Sequence, residues 1–96
     1  MIFINIYFSK NDFDELKNIV GQDPNNKQKR FELAEKYLIS NEIGSGFNEL
    51  LKLYSQDSKW NEEAAKKKLL EYFDLLGLND PNVLEARKKL SSLMFK

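Results

Sequence analysis

Apolar residues recur at helical spacing along most of the chain, and turn formers interrupt them at intervals. Phe13, Leu16, Ile19 and Val20 mark a first helix over residues 11–20. Asp12 is placed to cap it, with Glu15 three residues on as in a capping box. Gly21 reads as its left-handed terminator. Residues 22–26 form a turn, because Pro24 stops the helix behind it and Asn tolerates unusual backbone angles. Phe31, Ala34 and Leu38, with Leu33 and Tyr37 beside them, predict a second helix over residues 27–40. Residues 41–46 read as a break. Phe47, Leu50, Leu51 and Tyr54 then recur at i, i+3, i+4 and i+7, which gives a third helix.

A polar loop over residues 56–60 ends in Trp60, an aromatic lid for the core. In the fourth helix Asn61 is the expected N-cap, with Glu62 and Glu63 in the first turn where the helix dipole favours anions. Its stripe is Ala65, Leu69, Phe73 and Leu76, joined by Leu70. Gly77 ends it, with Leu78 folding back as the apolar partner of a Schellman-type stop. Asp80-Pro81 reads as the N-cap and first position of a fifth helix. That helix is expected to bury Val83, the Arg87 stem, Leu90 and Met94, with Leu84 and Leu93 adjacent. Short connections between successive helices predict antiparallel neighbours. The fold class is therefore all-α, built of antiparallel helical hairpins over residues 11–96. Residues 1–10 form a short apolar arm before it. Ile2, Ile4, Ile6 and Phe8 alternate as in a strand, but Phe3 and Tyr7 make the other side apolar too. A lone strand is unstable, so the arm packs alongside, extends the stack, or pairs with a second copy of the chain.

Composition narrows the chemistry. The 96 residues include no Cys and no His, and 15 Lys+Arg balance 15 Asp+Glu. Without Cys there is no disulfide, thiolate nucleophile or Cys-type metal site. Without His there is no imidazole base or histidine ligand. No cofactor, metal or catalytic residue is expected. Zero net charge argues against a general nucleic-acid binder. No apolar run approaches the ~20 residues that cross a bilayer, so no membrane partner is expected and the expected location is the cytoplasm. Lys66-Lys67-Lys68 is a solvated helix face, Glu62-Glu63 a helix-start feature, and Tyr37 and Tyr54 fill packing positions.

Leu33-Ala34-x-x-Tyr37, followed by Gly46, Leu50 and Leu53, resembles the tetratricopeptide pattern. There, small residues let paired helices approach closely. The chain then reads as a short tetratricopeptide-like stack. Further motifs agree in order: Arg30-Phe31-Glu32-Leu33-Ala34, Leu50-Leu51, Asp57 with Trp60-Asn61, Phe73-x-x-Leu76-Gly77, Asp80-Pro81 and Met94-Phe95. Together they resemble the C-terminal tetratricopeptide-like region of YbbN-type thioredoxin-like proteins, the co-chaperedoxins. Asn41 stands where those proteins carry Gly, and Gly46 where they carry Ala. The thioredoxin domain, with its Cys-x-x-Cys, has no counterpart here, so the chain reads as the C-terminal region standing alone.

The resemblance implies a non-catalytic protein-interaction module. Its partners would be a GroEL-type chaperonin or unfolding client proteins. The implied docking element is the last helix, where Arg87, Lys88 and Lys89 would meet acidic groups and Leu90, Leu93, Met94 and Phe95 would supply apolar anchors. The redox activity does not carry over, because its residues are missing. Two plainer readings stand beside this one. The same helix can simply cap the stack, and the whole chain can be a structural or oligomerisation domain that associates through its N-terminal arm.

Overall fold

The computed structural model describes residues 10–95, with side chains from Phe13 onward. The helices are α1 (Lys10–Gln22), α2 (Lys27–Ile39), α3 (Ile43–Gln56), α4 (Trp60–Leu76) and α5 (Pro81–Met94), and the described residues contain no strand. The strand-like arm read over residues 2–8, and the pairing it suggested, lie outside the described residues.

Each helix packs on the next, and α3 also packs on α5. α3 is therefore the hub. It earns that position by its apolar content: Phe47, Leu50, Leu51 and Leu53 are all buried. They join Ala34 and Leu38 from α2, Ala65, Leu69 and Phe73 from α4, and Val83, Ala86 and Leu90 from α5 in one core. Each large side chain buried there stabilises the fold by roughly 1.5–3 kcal/mol. A smaller cluster of Leu16, Val20 and Leu33 fastens α1 to α2. Beside it the Phe13 and Tyr37 rings meet edge to face at 4.9 Å, and the Lys17 ammonium lies 4.9 Å from the Phe13 centroid. Trp60 packs against the main core as the sequence suggests, with its ring 5.5 Å from that of Phe31.

Small residues set the closest approach. A Cβ on Gly46 would lie 2.7 Å from Cγ and Cδ2 of Leu38 and 3.2 Å from the Ala34 carbonyl oxygen. The α2–α3 hairpin is thus closed at a point where only glycine fits. The same contact explains why Gly46 sits inside α3, where the sequence suggested a break over residues 41–46. The actual break is residues 40–42. There the Asn41 and Glu42 N–H groups bond the Leu38 and Tyr37 carbonyls at 3.1 and 2.8 Å. With Asn41 at φ 66°, this is a Schellman stop built on Asn in place of Gly.

Other helix ends depart from the sequence reading. α1 begins at Lys10, so Asp12 lies inside the helix and is not its cap. Gly21 has no positive φ and stays helical. Pro24 sets that terminus, because the residue before a proline is driven away from helical angles. Asn26 caps α2 by accepting the Lys29 N–H at 3.1 Å. Asn61 is not an N-cap. Asn61, Glu62 and Glu63 have φ of 49°, 58° and 64°, one left-handed turn before the right-handed part of α4. The two carboxylates do sit in the first turn of α4, as expected, but that turn is left-handed. Gly77, at φ 93°, does end α4, but Leu78 is 58% exposed and does not fold back.

α5 starts as the sequence predicts. Asp80 accepts the Asn82 and Val83 N–H groups at 2.8 and 3.3 Å, and Pro81 occupies the first turn. Its buried seam differs: Val83, Ala86 and Leu90 face the core, with Leu93 half-buried. Arg87 is exposed and Met94 is 42% exposed. Both seams share Val83 and Leu90, so apolar periodicity alone leaves the helix free to rotate. Ala86, buried with them, marks the rotation the helix takes.

Candidate protein-binding surface

The N-cap at Asp80 and the burial of Val83 and Leu90 fix which way every other α5 residue points. At about 100° per residue, Leu84, Lys88, Ser91 and Phe95 fall on the face opposite the core. All four are exposed, Phe95 at 83%. Arg87 and Met94 lie on one flank of that strip. Lys89 lies on the other, 3.7 Å from Glu85.

The residues singled out in the last helix therefore divide four ways. Leu90 is part of the core and holds the helix down. Lys89 and Leu93 turn towards α3. Arg87, Lys88 and Phe95 share the outer side, together with Leu84, expected near the core, while Met94 lines a cleft with the last turn of α3 and residues 57–59.

On the α3 side lies an open groove of about 580 Å³. Leu51 and Leu93 form its apolar floor, and Lys52 and Lys89 stand on opposite rims. Ser55, Gln56 and Ser92 add hydrogen-bonding groups. The sequence reading passed over this surface. Asn48, Leu51, Lys52, Ser55 and Gln56 recur at i, i+3, i+4, i+7 and i+8, so the strip on α3 is visible in sequence. That α5 walls it is not.

Arg30 closes the back of the groove. Its Nη1 donates to Glu49 at 2.6 Å and its Nη2 to the Pro24 carbonyl at 3.2 Å, while the Gln56 amide donates to the same carbonyl at 2.8 Å. One guanidinium thus ties the α1–α2 turn, α2 and α3 together. Its Nε is buried without an acceptor among the described residues, a defect worth about 1–3 kcal/mol.

Charge also orders the hairpin's open end. Lys27 donates to Asp57 at 3.1 Å, joining the start of α2 to the end of α3. That hydrogen bond, against a smaller desolvation effect, holds the Asp57 carboxyl below its ordinary value. Glu32 is lowered too, first by the Gln28 amide and then by Lys29. Tyr37 is raised, chiefly by burial and then by Glu49 and Glu42.

Among the described residues, no group of three Asp or Glu side chains converges to hold a metal. No described helix is long and apolar enough to cross a membrane. A sequence model of the tetratricopeptide repeat matches residues 9–95, nearly the whole chain. Searches of curated proteins and of solved structures return no significant match. Stacked helical repeats present extended surfaces for binding other proteins, and the exposed strip and groove fit a non-catalytic interaction module. The helical hairpins, their close approach at Gly46 and the matched repeat agree: the chain belongs to the tetratricopeptide repeat family.

Proposed function

We propose that the chain is an adaptor in chaperone-assisted folding that docks through the outer face of α5 on a GroEL-type chaperonin. One observation carries the surface. Lys88, Leu84 and the 83%-exposed Phe95 share a face, flanked by Arg87 and Met94. That face combines cations with a large exposed aromatic. Such a combination suits recognition of a helix by a groove with acidic edges, with anchors spaced at helical intervals. Aromatic and Arg side chains are also the residues that most often carry binding energy at interfaces. The identity of the partner rests on the co-chaperedoxin resemblance of the motifs at Arg30-Phe31, Trp60-Asn61 and Met94-Phe95.

The test is capture of purified GroEL-type chaperonin by the immobilised full chain. Removing residues 87–96 is unsuitable, because it strips Leu90 and Leu93 from the core. The variant Lys88→Glu/Phe95→Ala changes only exposed side chains and leaves the fold intact, as circular dichroism would verify. Loss of capture is expected. Capture equal to that of the unaltered chain would overturn the docking assignment.

A further inference from the structure

We infer that the groove between α3 and α5 is a second binding site, and that its occupant is an acidic, leucine-rich peptide segment of a partner protein. The site is separate from the outer face of α5 and does not depend on the chaperonin proposal. Three observations carry it.

The first is shape. The groove is open and holds about 580 Å³, with Leu51 and Leu93 as its floor. An open apolar floor of this kind takes side chains from an extended or helical segment.

The second is charge. Every titratable residue lining the groove is cationic: Arg30, Lys52 and Lys89. Their acidic neighbours stand outside the lining. Glu49 lies behind Arg30 and is 3.9 Å from Lys52. Glu85 is 3.7 Å from Lys89, one turn up α5. Both lysine contacts are long, and the two side chains are 63% and 51% exposed. Each ammonium therefore keeps donors to offer. A carboxylate entering between the rims meets Lys52 on one side and Lys89 on the other, and charge-assisted hydrogen bonds are the stronger kind.

The third is Arg30 itself. Its side chain is only 8% exposed, it lines the groove, and its Nε has no acceptor among the described residues. The guanidinium is spread over Glu49 and the Pro24 carbonyl without being fully satisfied. Its charge is largely offset by Glu49 at 2.6 Å, so what it adds to the groove is an N–H group still without an acceptor among the described residues.

The experiment uses the isotopically labelled full chain and an acetylated, amidated octapeptide with Glu residues set between Leu residues. The control is the same peptide with Gln for Glu. Amide shifts are expected at Leu51, Lys52, Ser55, Gln56, Ser92 and Leu93. The Gln peptide should bind about tenfold more weakly, as loss of charge-assisted bonds implies. Lys52→Gln/Lys89→Gln, a pair of exposed substitutions, should produce the same loss. Affinity should fall as salt rises. Equal binding of both peptides would overturn the inference, as would shifts confined to Leu84, Lys88 and Phe95. Nuclear Overhauser contacts between residues 1–8 and the groove in the free chain would also overturn it, because the occupant would then be the chain's own arm. Capture of the chaperonin by the unaltered chain is scored separately, so failure of one reading leaves the other standing.

Discussion

Arg30 on α2 and Glu49 on α3 face each other at 2.6 Å, with their side chains only 8% and 14% exposed. A pair this sheltered behaves unlike a surface salt bridge. Removing one partner leaves the other charge in a poor solvent. Arg30→Met or Glu49→Leu alone should each cost about 3 kcal/mol, while the double substitution should recover most of that loss. Urea denaturation of the four chains in a double-mutant cycle measures the coupling. Single losses below about 1 kcal/mol would show that water reaches the pair as it does at the surface.

Three glycines should respond to alanine in different ways. Gly46→Ala places a methyl group against Leu38 and the Ala34 carbonyl. Overpacking of this kind costs about 1–3 kcal/mol, more than the gain in helix propensity of roughly 1 kcal/mol. The melting temperature should fall by several degrees. Gly21 is helical, with nothing within 4 Å of its added Cβ, so Gly21→Ala should stabilise by roughly 0.5–1 kcal/mol. Gly44 is intermediate: its nearest atom is the flexible Asn82 side chain at 3.2 Å, and a change close to zero is expected. Thermal melts of the three variants give this order or reject it.

The left-handed turn before the regular part of α4 predicts an inverted response to glycine. Glu62 is exposed with φ 58°, a conformation that costs an L-residue about 1–2 kcal/mol. Glu62→Gly should therefore be neutral or stabilising. Glu71→Gly, at an exposed and regular position of the same helix, should cost about 1 kcal/mol. Equal losses at both positions, measured by chemical denaturation, would show that residue 62 is right-handed.

Acid should loosen the open end of the α2–α3 hairpin. The Asp57 and Glu32 carboxyls are lowered in the folded chain. Their contribution is complete above the ordinary carboxylate range and is lost as pH falls through the lowered values. The unaltered chain should accordingly lose more stability between pH 7 and pH 3 than Asp57→Asn/Glu32→Gln does. At the alkaline end the sign reverses. Tyr37 is raised by burial, so its contribution is complete below the ordinary tyrosine range and is lost as pH rises through the raised value. Tyr37→Phe should blunt that alkaline loss. Denaturation midpoints across pH read both effects.

How much of this was legible in sequence varies by element. Local chemistry is short-range, so Asp80-Pro81 announced the start of α5 and Gly77 the end of α4, and both hold in the structure. Helix spacing likewise exposed the core positions Leu50, Leu69 and Phe73. Gly21 misled, because a glycine permits a left-handed stop without requiring one, and the proline three residues on supplied it. Asn61 misled because residues 61–63 take left-handed angles that no local rule assigns to Glu. The candidate site was half legible. Lys88 and Phe95 emerged as exposed, while Leu90 lies in the core and the groove beside Lys89 went unseen.

Sequence alone determined that the described residues form five helices, roughly where those helices lie, and that the chain carries neither thiol nor imidazole chemistry. Those properties follow from residue identity and from neighbours within a turn or two. Only the tertiary structure decided how α5 is rotated, which cations meet across the groove, and that Arg30 is buried against Glu49. Those relationships join residues on different helices. They depend on how closely the helices approach, as at Gly46 between α2 and α3, a distance that spacing along one helix does not encode.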